Sequence, residues 1–280
     1  MDLRRMKTVF IFVLLGINIM LSMVLYNARN YERQEKQTMV ENLSGFLAKN
    51  MIYLPNTVTV PDSPEIYNFY LEKMFGSDHD LIEKFLGQNY EKNGEGSFKS
   101  TRGTFSVESD VFKFYKSNPS DSITDFSQEK IEKLCRKEMD NLGVMSEIYE
   151  FNGFNYVDDG IRAIFTVKRN DDEFFDAYIS FDVSEKGIFS VSGKNIISDL
   201  SVSGGSSPYY SVASIMADLV KNEKLDSKIS HTIVSIKPGY YIGKSEESYR
   251  NILAIPVWQI ATDGGIILHY DARNGQEIEE

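Results

Sequence analysis

Hydrophobic and polar residues fall along this chain in blocks of different period. The first block, residues 8–25 (TVFIFVLLGINIMLSMVL), carries no charge for 18 residues. As a helix it measures about 27 Å, close to the hydrocarbon thickness of a bilayer. A lone span in hydrocarbon must satisfy its own backbone, which a helix does. Arg4, Arg5 and Lys7 precede it, and basic residues stay on the cytoplasmic side. The pattern predicts a cytoplasmic tail over residues 1–7, a transmembrane helix over 8–26 and an extracellular remainder. A cleaved signal peptide has a shorter apolar run and small residues at its exit. The exit here, Leu25-Tyr26-Asn27-Ala28-Arg29, is a poor cleavage site. The segment therefore reads as an uncleaved, single-pass anchor in the cell membrane.

Helical periodicity continues beyond the anchor. Met39, Leu43, Phe46 and Leu47 recur at i, i+4, i+7 and i+8, one stripe of a helix. Neither Pro nor Gly stands between Tyr26 and Asn42. These residues predict a stiff juxtamembrane stalk over 27–54 that lays its stripe on the first folded unit. Asn18 and Ser22, four apart, share one face within the span, and Gly16 nearby allows close approach. A polar amide in hydrocarbon prefers another helix to lipid. That face is either a docking surface for a partner's transmembrane helix or a tolerated polar pair.

Residues 55–125 read as the N-terminal part of the ectodomain, packed with the repeat that follows. Pro55, Pro61 and Pro64 bracket a short extended run at 58–60. Ser63-Pro64 opens a helix through Phe75, with proline in its first turn. Residues 80–86 form a second short helix. From 88 to 115, short alternating runs punctuated by Gly94, Gly96 and Gly103 predict a meander of small strands.

Two similar units complete the chain, over 126–200 and 201–280. The first has a helix at 126–141, with Asp125 as candidate cap, Gln128 three residues on and Gly143 just past its end. Strand patterns follow at 146–157, 160–169, 174–182 and 186–191, separated by hairpin-type turns. The second has a helix from Ser207-Pro208 through about Asn222. Its strand patterns lie at 230–237, 239–244, 251–261 and 266–270. The predicted fold class is α+β: one N-terminal transmembrane helix, then two successive helix-plus-antiparallel-sheet units.

Charge sharpens this division. Residues 1–36 hold six Lys/Arg against three Asp/Glu, and the remainder holds 24 against 38. An ectodomain this acidic repels nucleic acid at long range. The one cysteine, Cys135, excludes an intramolecular disulfide and falls on the apolar stripe of its helix.

Catalytic chemistry is poorly represented. The three histidines, His79, His231 and His269, form no zinc-hydrolase spacing. Asp78-His79-Asp80 reads as a solvated turn rather than a cation site. Ser127-Gln128-Glu129-Lys130 matches the Ser-x-x-Lys of penicillin-binding enzymes, but the Lys-(Thr/Ser)-Gly partner motif is absent. Ser127 is better read as helix-capping chemistry. The Gly/Ser loop at 203–208 leads into a helix start and reads as a linker. Trp258 is a core anchor, the preferred reading, or a rim aromatic for a partner. Adjacent strand residues face opposite sides, so one of Tyr240 and Tyr241 is expected on an exposed, partner-binding edge.

Both ends of the chain resemble the YycI family. Met1-Asp2-Leu3-Arg4-Arg5, followed by a Phe/Ile/Leu-rich span containing Asn18, is similar to that family's start. Ile255-Pro256-Val257-Trp258-Gln259-Ile260, then Gly264-Gly265, Tyr270-Asp271-Ala272 and Asn274-Gly275, is similar to its ending. PepSY-type domains share a strand–turn–strand close of this kind.

The resemblance implies a non-enzymatic, membrane-anchored regulator without cofactor or metal. Its implied partners are the sister protein YycH, outside the cell, and the sensor kinase WalK, through transmembrane helices. Such a regulator adjusts WalK/WalR signalling and so cell-wall turnover. By position, Asn18, Ser22 and Gly16 would face the kinase helices; Tyr240, Tyr241 and Trp258 are the candidate ectodomain contacts. The direction of regulation and the state of self-association stay open. The alternative reading is a PepSY-like inhibitor or ligand-binding module acting on an extracellular hydrolase.

Overall fold

The computed structural model describes residues 3–61, 67–75, 77–108, 111–169, 172–203, 210–221, 225, 228–242 and 252–278, with the side chains of 3–13, 16, 32, 33, 120 and 203 left out. After α1 (Leu3–Ala48) come β1 (Ile52–Tyr53), β2 (Asn68–Lys73) and α2 (Asp78–Leu86). The strands β3 (Glu91–Lys92), β4 (Ser97–Lys99), β5 (Gly103–Glu108) and β6 (Val111–Ser120) precede α3 (Gln128–Leu142). Then follow β7 (Tyr149–Val157), β8 (Gly160–Arg169), β9 (Asp172–Ser184), β10 (Gly187–Lys194) and β11 (Ile197–Ser203). The chain closes with α4 (Val212–Lys221), β12 (His231–Ile242), β13 (Ile252–Thr262) and β14 (Ile267–Asp271).

The fold is α+β, a large and mostly antiparallel sheet with few helices. Its hydrogen-bonded path runs β11-β2-β13-β12-β9-β10-β6-β5-β4-β3, with β7–β8 joined to β9, β14 to β13 and β1 to β12. The halves meet where β9 and β12 pair in parallel, Phe174 opposite Tyr240. Buried Asp176 bolts the same seam by accepting the N–H of Ile242 at 2.7 Å.

Local sequence explains the helices. α3 buries Ile131, Cys135, Met139 and Leu142 on one stripe. It ends at Gly143, whose left-handed backbone (φ 73°) lets its N–H return to the last carbonyls. Asp125 is not its N-cap: Ser127 holds that position, and Asp125 accepts the Ser127 N–H at 2.9 Å. α4 buries Val212, Ile215, Met216 and Leu219.

Three expectations need correction. The helix predicted from Ser63 through Phe75 is a strand over its described second half. Phe69 and Leu71 are buried while Tyr70 and Glu72 point outward, a period of two. That strand, β2, pairs antiparallel with β11 and with β13. The predicted break between 237 and 239 does not occur, because β12 runs through Pro238, which sits opposite Trp258. Proline's fixed φ is compatible with a strand where its nitrogen need not donate. The first strand of the first unit starts later than expected, after a 3-10 turn at Ser146–Ile148. Residues 58–60, expected as a short extended run, stand outside every helix and strand.

Candidate functional site

The site the sequence points to is the long helix and its junction with the sheet. α1 is continuous for 46 residues, about 69 Å. Its C-terminal end is seated on the domain by Leu43 and Leu47, both buried, with Val40 half-buried beside them. The stripe is therefore Val40, Leu43 and Leu47; Met39 and Phe46 stay exposed. The helix end touches α4 and β1.

Just past it the chain reverses. Asn50 donates its N–H to the Leu47 carbonyl at 2.8 Å, and Met51 takes a positive φ of 62°. β1 then adds in parallel to the start of β12, Ile52 opposite His231. The His231 N–H donates to the Met51 carbonyl at 3.0 Å. Helix, turn and sheet are thus locked within six residues by packing and by backbone hydrogen bonds.

At the other end, Leu15, Asn18, Ile19, Ser22, Met23 and Tyr26 line one shallow groove along the helix. Asn18 and Ser22 lie on it together and are exposed. Gly16 falls outside the described side chains. Among the described residues no helix is long and apolar enough to cross a membrane; residues 8–13 and 16 of the apolar run are not in that set.

The aromatic candidates lie elsewhere. Tyr240 and Tyr241 are both buried, so neither forms an exposed edge. The expectation assumed one bare sheet face, and both faces are covered. Tyr240 packs edge-on against Phe69 at 4.6 Å and stacks on Phe174 at 5.3 Å. Its hydroxyl accepts the Tyr67 N–H, and burial pushes its pKa up to about 12. Tyr241 faces the His269 ring on the other side, with the Lys194 ammonium 5.7 Å from its centroid. Trp258 is a core anchor, 1 % exposed, and its indole N–H donates to the Tyr210 carbonyl at 3.0 Å.

The remaining motifs have structural placements. Lys130 pairs with Asp125 at 2.8 Å. Cys135 is buried, and loss of solvent, with Glu138 and Glu132 nearby, pushes its thiol pKa far up. Asp78, His79 and Asp80 form the first turn of α2, where the Ser77 hydroxyl accepts the Asp80 N–H and the His79 ring contacts the Tyr90 hydroxyl at 3.1 Å. The Gly/Ser loop at 203–208 lies outside the described residues except for Ser203.

Among the buried carboxyl groups that sequence reasoning passed over are Asp176 and Glu138. Asp176 is 5 % exposed, and burial lifts its pKa from 3.8 to about 7 against the opposing Ile242 hydrogen bond and Lys194. Its other oxygen accepts from the Asn195 side chain at 2.9 Å. It shares strand parity with buried Phe174, a signal that was legible. Glu138 pairs with Lys116 at 2.6 Å and sits on the same helix stripe as Ile131 and Cys135.

A family model described as YycI protein matches residues 30–268. The chain belongs to the YycI family. Membership supports a regulatory role in the WalK/WalR two-component system and is compatible with a non-enzyme. No curated protein matches the chain. Among solved structures it is similar to an uncharacterized protein from Eubacterium rectale ATCC 33656, at 13% identity and a TM-score of 0.45, covering 82% of this chain and 91% of that one. It is also similar to the Bacillus megaterium YpeB C-terminal domain, at 10% identity and a TM-score of 0.35, covering 74% and 97%.

Proposed function

We propose that this YycI-family protein is a single-pass anchor with an extracellular domain, and that it biases WalK by contributing a helix to the kinase's transmembrane bundle. Association with a YycH-like sister protein outside the cell sets where that helix sits. The observation that supports this is the unbroken α1, seated on the sheet at Leu47 and carrying Asn18 and Ser22 on one exposed groove. From residue 27 to Ala48 the helix spans about 33 Å, so a tilt of the domain is carried to the anchor without a hinge.

Regulation then needs differential affinity. The helix must fit one state of the kinase bundle better than the other, since equal affinity shifts nothing. The polar pair suits that task. An amide and a hydroxyl in hydrocarbon gain a hydrogen bond when a partner helix supplies one, worth about 1 kcal/mol. Asn18→Leu and Ser22→Leu should weaken control of WalR-dependent transcription while leaving domain unfolding unchanged. Unaltered transcription in both variants would contradict the docking face.

A further inference from the structure

Away from the helix, α2, α3, β6 and the turn before β5 enclose an open cleft of about 970 Å³. That volume is at the upper end for small-ligand sites. Its walls are mixed. Phe75 and Leu142 supply apolar surface, and six charged side chains line it: Lys84, Arg102, Lys116, Asp80, Glu83 and Glu138.

These charges are not equivalent. Lys116 and Glu138 satisfy each other in a 2.6 Å pair whose side chains are 14% and 11% exposed. The other four have no ion pair among the described residues. Lys84 and Arg102 stand over helix ends. The Arg102 guanidinium carbon lies 3.3 Å from where a Cβ on Gly87 would fall, and Gly87 closes α2. The Lys84 ammonium lies 3.6 Å from the equivalent point on Gly143, which closes α3. Helix dipoles explain where the cations settle, but among the described residues neither has a counter-carboxylate.

The Arg102 position is built. The Ser100 hydroxyl donates to the Leu86 carbonyl at 2.9 Å and accepts the Arg102 N–H at 3.1 Å, and the Arg102 carbonyl accepts the Ser117 N–H at 2.9 Å. Gly87, at φ 79°, lets the guanidinium lie close over the helix end, where any Cβ would crowd it.

Two cations and two anions without an ion pair among the described residues, in one partly apolar cleft, favour a ligand with both charges. A multiply charged phosphate would meet Asp80, Glu83 and Glu138, whereas a zwitterion matches both sets. We infer that this cleft binds a short zwitterionic peptide, its carboxylate taken by Lys84 and Arg102 and its amine by Asp80 and Glu83. The inference is independent of the proposed role of α1.

The test is calorimetric titration of the full-length protein in detergent micelles with trialanine, trialanine amide and inorganic phosphate. Saturable binding of trialanine is expected, at least tenfold weaker for the amide and absent for phosphate. Lys84→Gln and Arg102→Gln should each weaken trialanine binding at least tenfold without moving the unfolding temperature. Three results would overturn the inference: no saturable binding of trialanine, equal binding of its amide, or preferential binding of phosphate. Binding unaffected by both substitutions would place the peptide elsewhere and overturn it too.

Discussion

The Met51 carbonyl accepts the N–H of His231 at 3.0 Å, and this bond joins the end of the long helix to the first residue of a central strand. Four residues before Met51, Leu47 is fully buried. The long helix is therefore part of the folded domain over its last turns, and its direction is fixed by the domain's core.

Leu47→Ala should loosen that junction. Truncating a fully buried leucine costs about 2–5 kcal/mol. The unfolding temperature should fall, and the His231 amide should exchange its proton faster. Phe46→Ala, on the exposed side of the same turn, should leave both near their original values. Equal effects would mean that the helix is not seated on the Leu47 face.

Stiffness of the helix is testable separately. Gln34, Glu35, Gln37 and Thr38 are exposed, and glycine at each costs about 1 kcal/mol of helix propensity. Replacing all four with glycine should abolish control of WalR-dependent transcription while domain unfolding stays unchanged. Full retention of control would show that motion does not pass along the helix.

Asp176 should give stability a pH dependence. Its pKa rises from 3.8 to about 7 on folding, because burial disfavours the carboxylate. Between these values the unfolded chain has lost the proton that the folded chain keeps. The stabilisation is complete below about pH 4 and is lost as pH rises through about 7, with a slope of up to about 1.4 kcal/mol per pH unit. Asp176→Asn should flatten that part of the curve in thermal unfolding series from pH 4 to 8. An unchanged slope would place the titration on another group.

The elements legible in the sequence were those whose signals are local. α3 is framed by its stripe and by Gly143, and β8 coincides with its alternating run from Gly160 to Arg169. β2 was misread because Ser63-Pro64 carries the sequence signature of a helix start, and Phe69 with Leu71 is too short a run to outweigh it. β11 was missed because it is an edge strand: Val202 is 43% exposed and Leu200 only partly covered, so its apolar pattern is faint. The burial of Tyr241 depends on His269 and Lys194 arriving from other strands, which no local pattern reveals. In the candidate site, the Asn18–Ser22 face followed from helical spacing. Which stripe of the stalk meets the domain was set by β1, just past the helix, and by α4, distant in sequence.

The most direct measurement is a pull-down from native membranes with the full-length protein and a version whose residues 8–25 are replaced by an unrelated apolar span. The account predicts that WalK is recovered with the first and lost with the second, while a YycH-like partner is recovered with both. Recovery of WalK with both versions would contradict the account, and so would its absence from both alongside a captured extracellular hydrolase. Either outcome would move the regulatory contact from the helix to the folded domain.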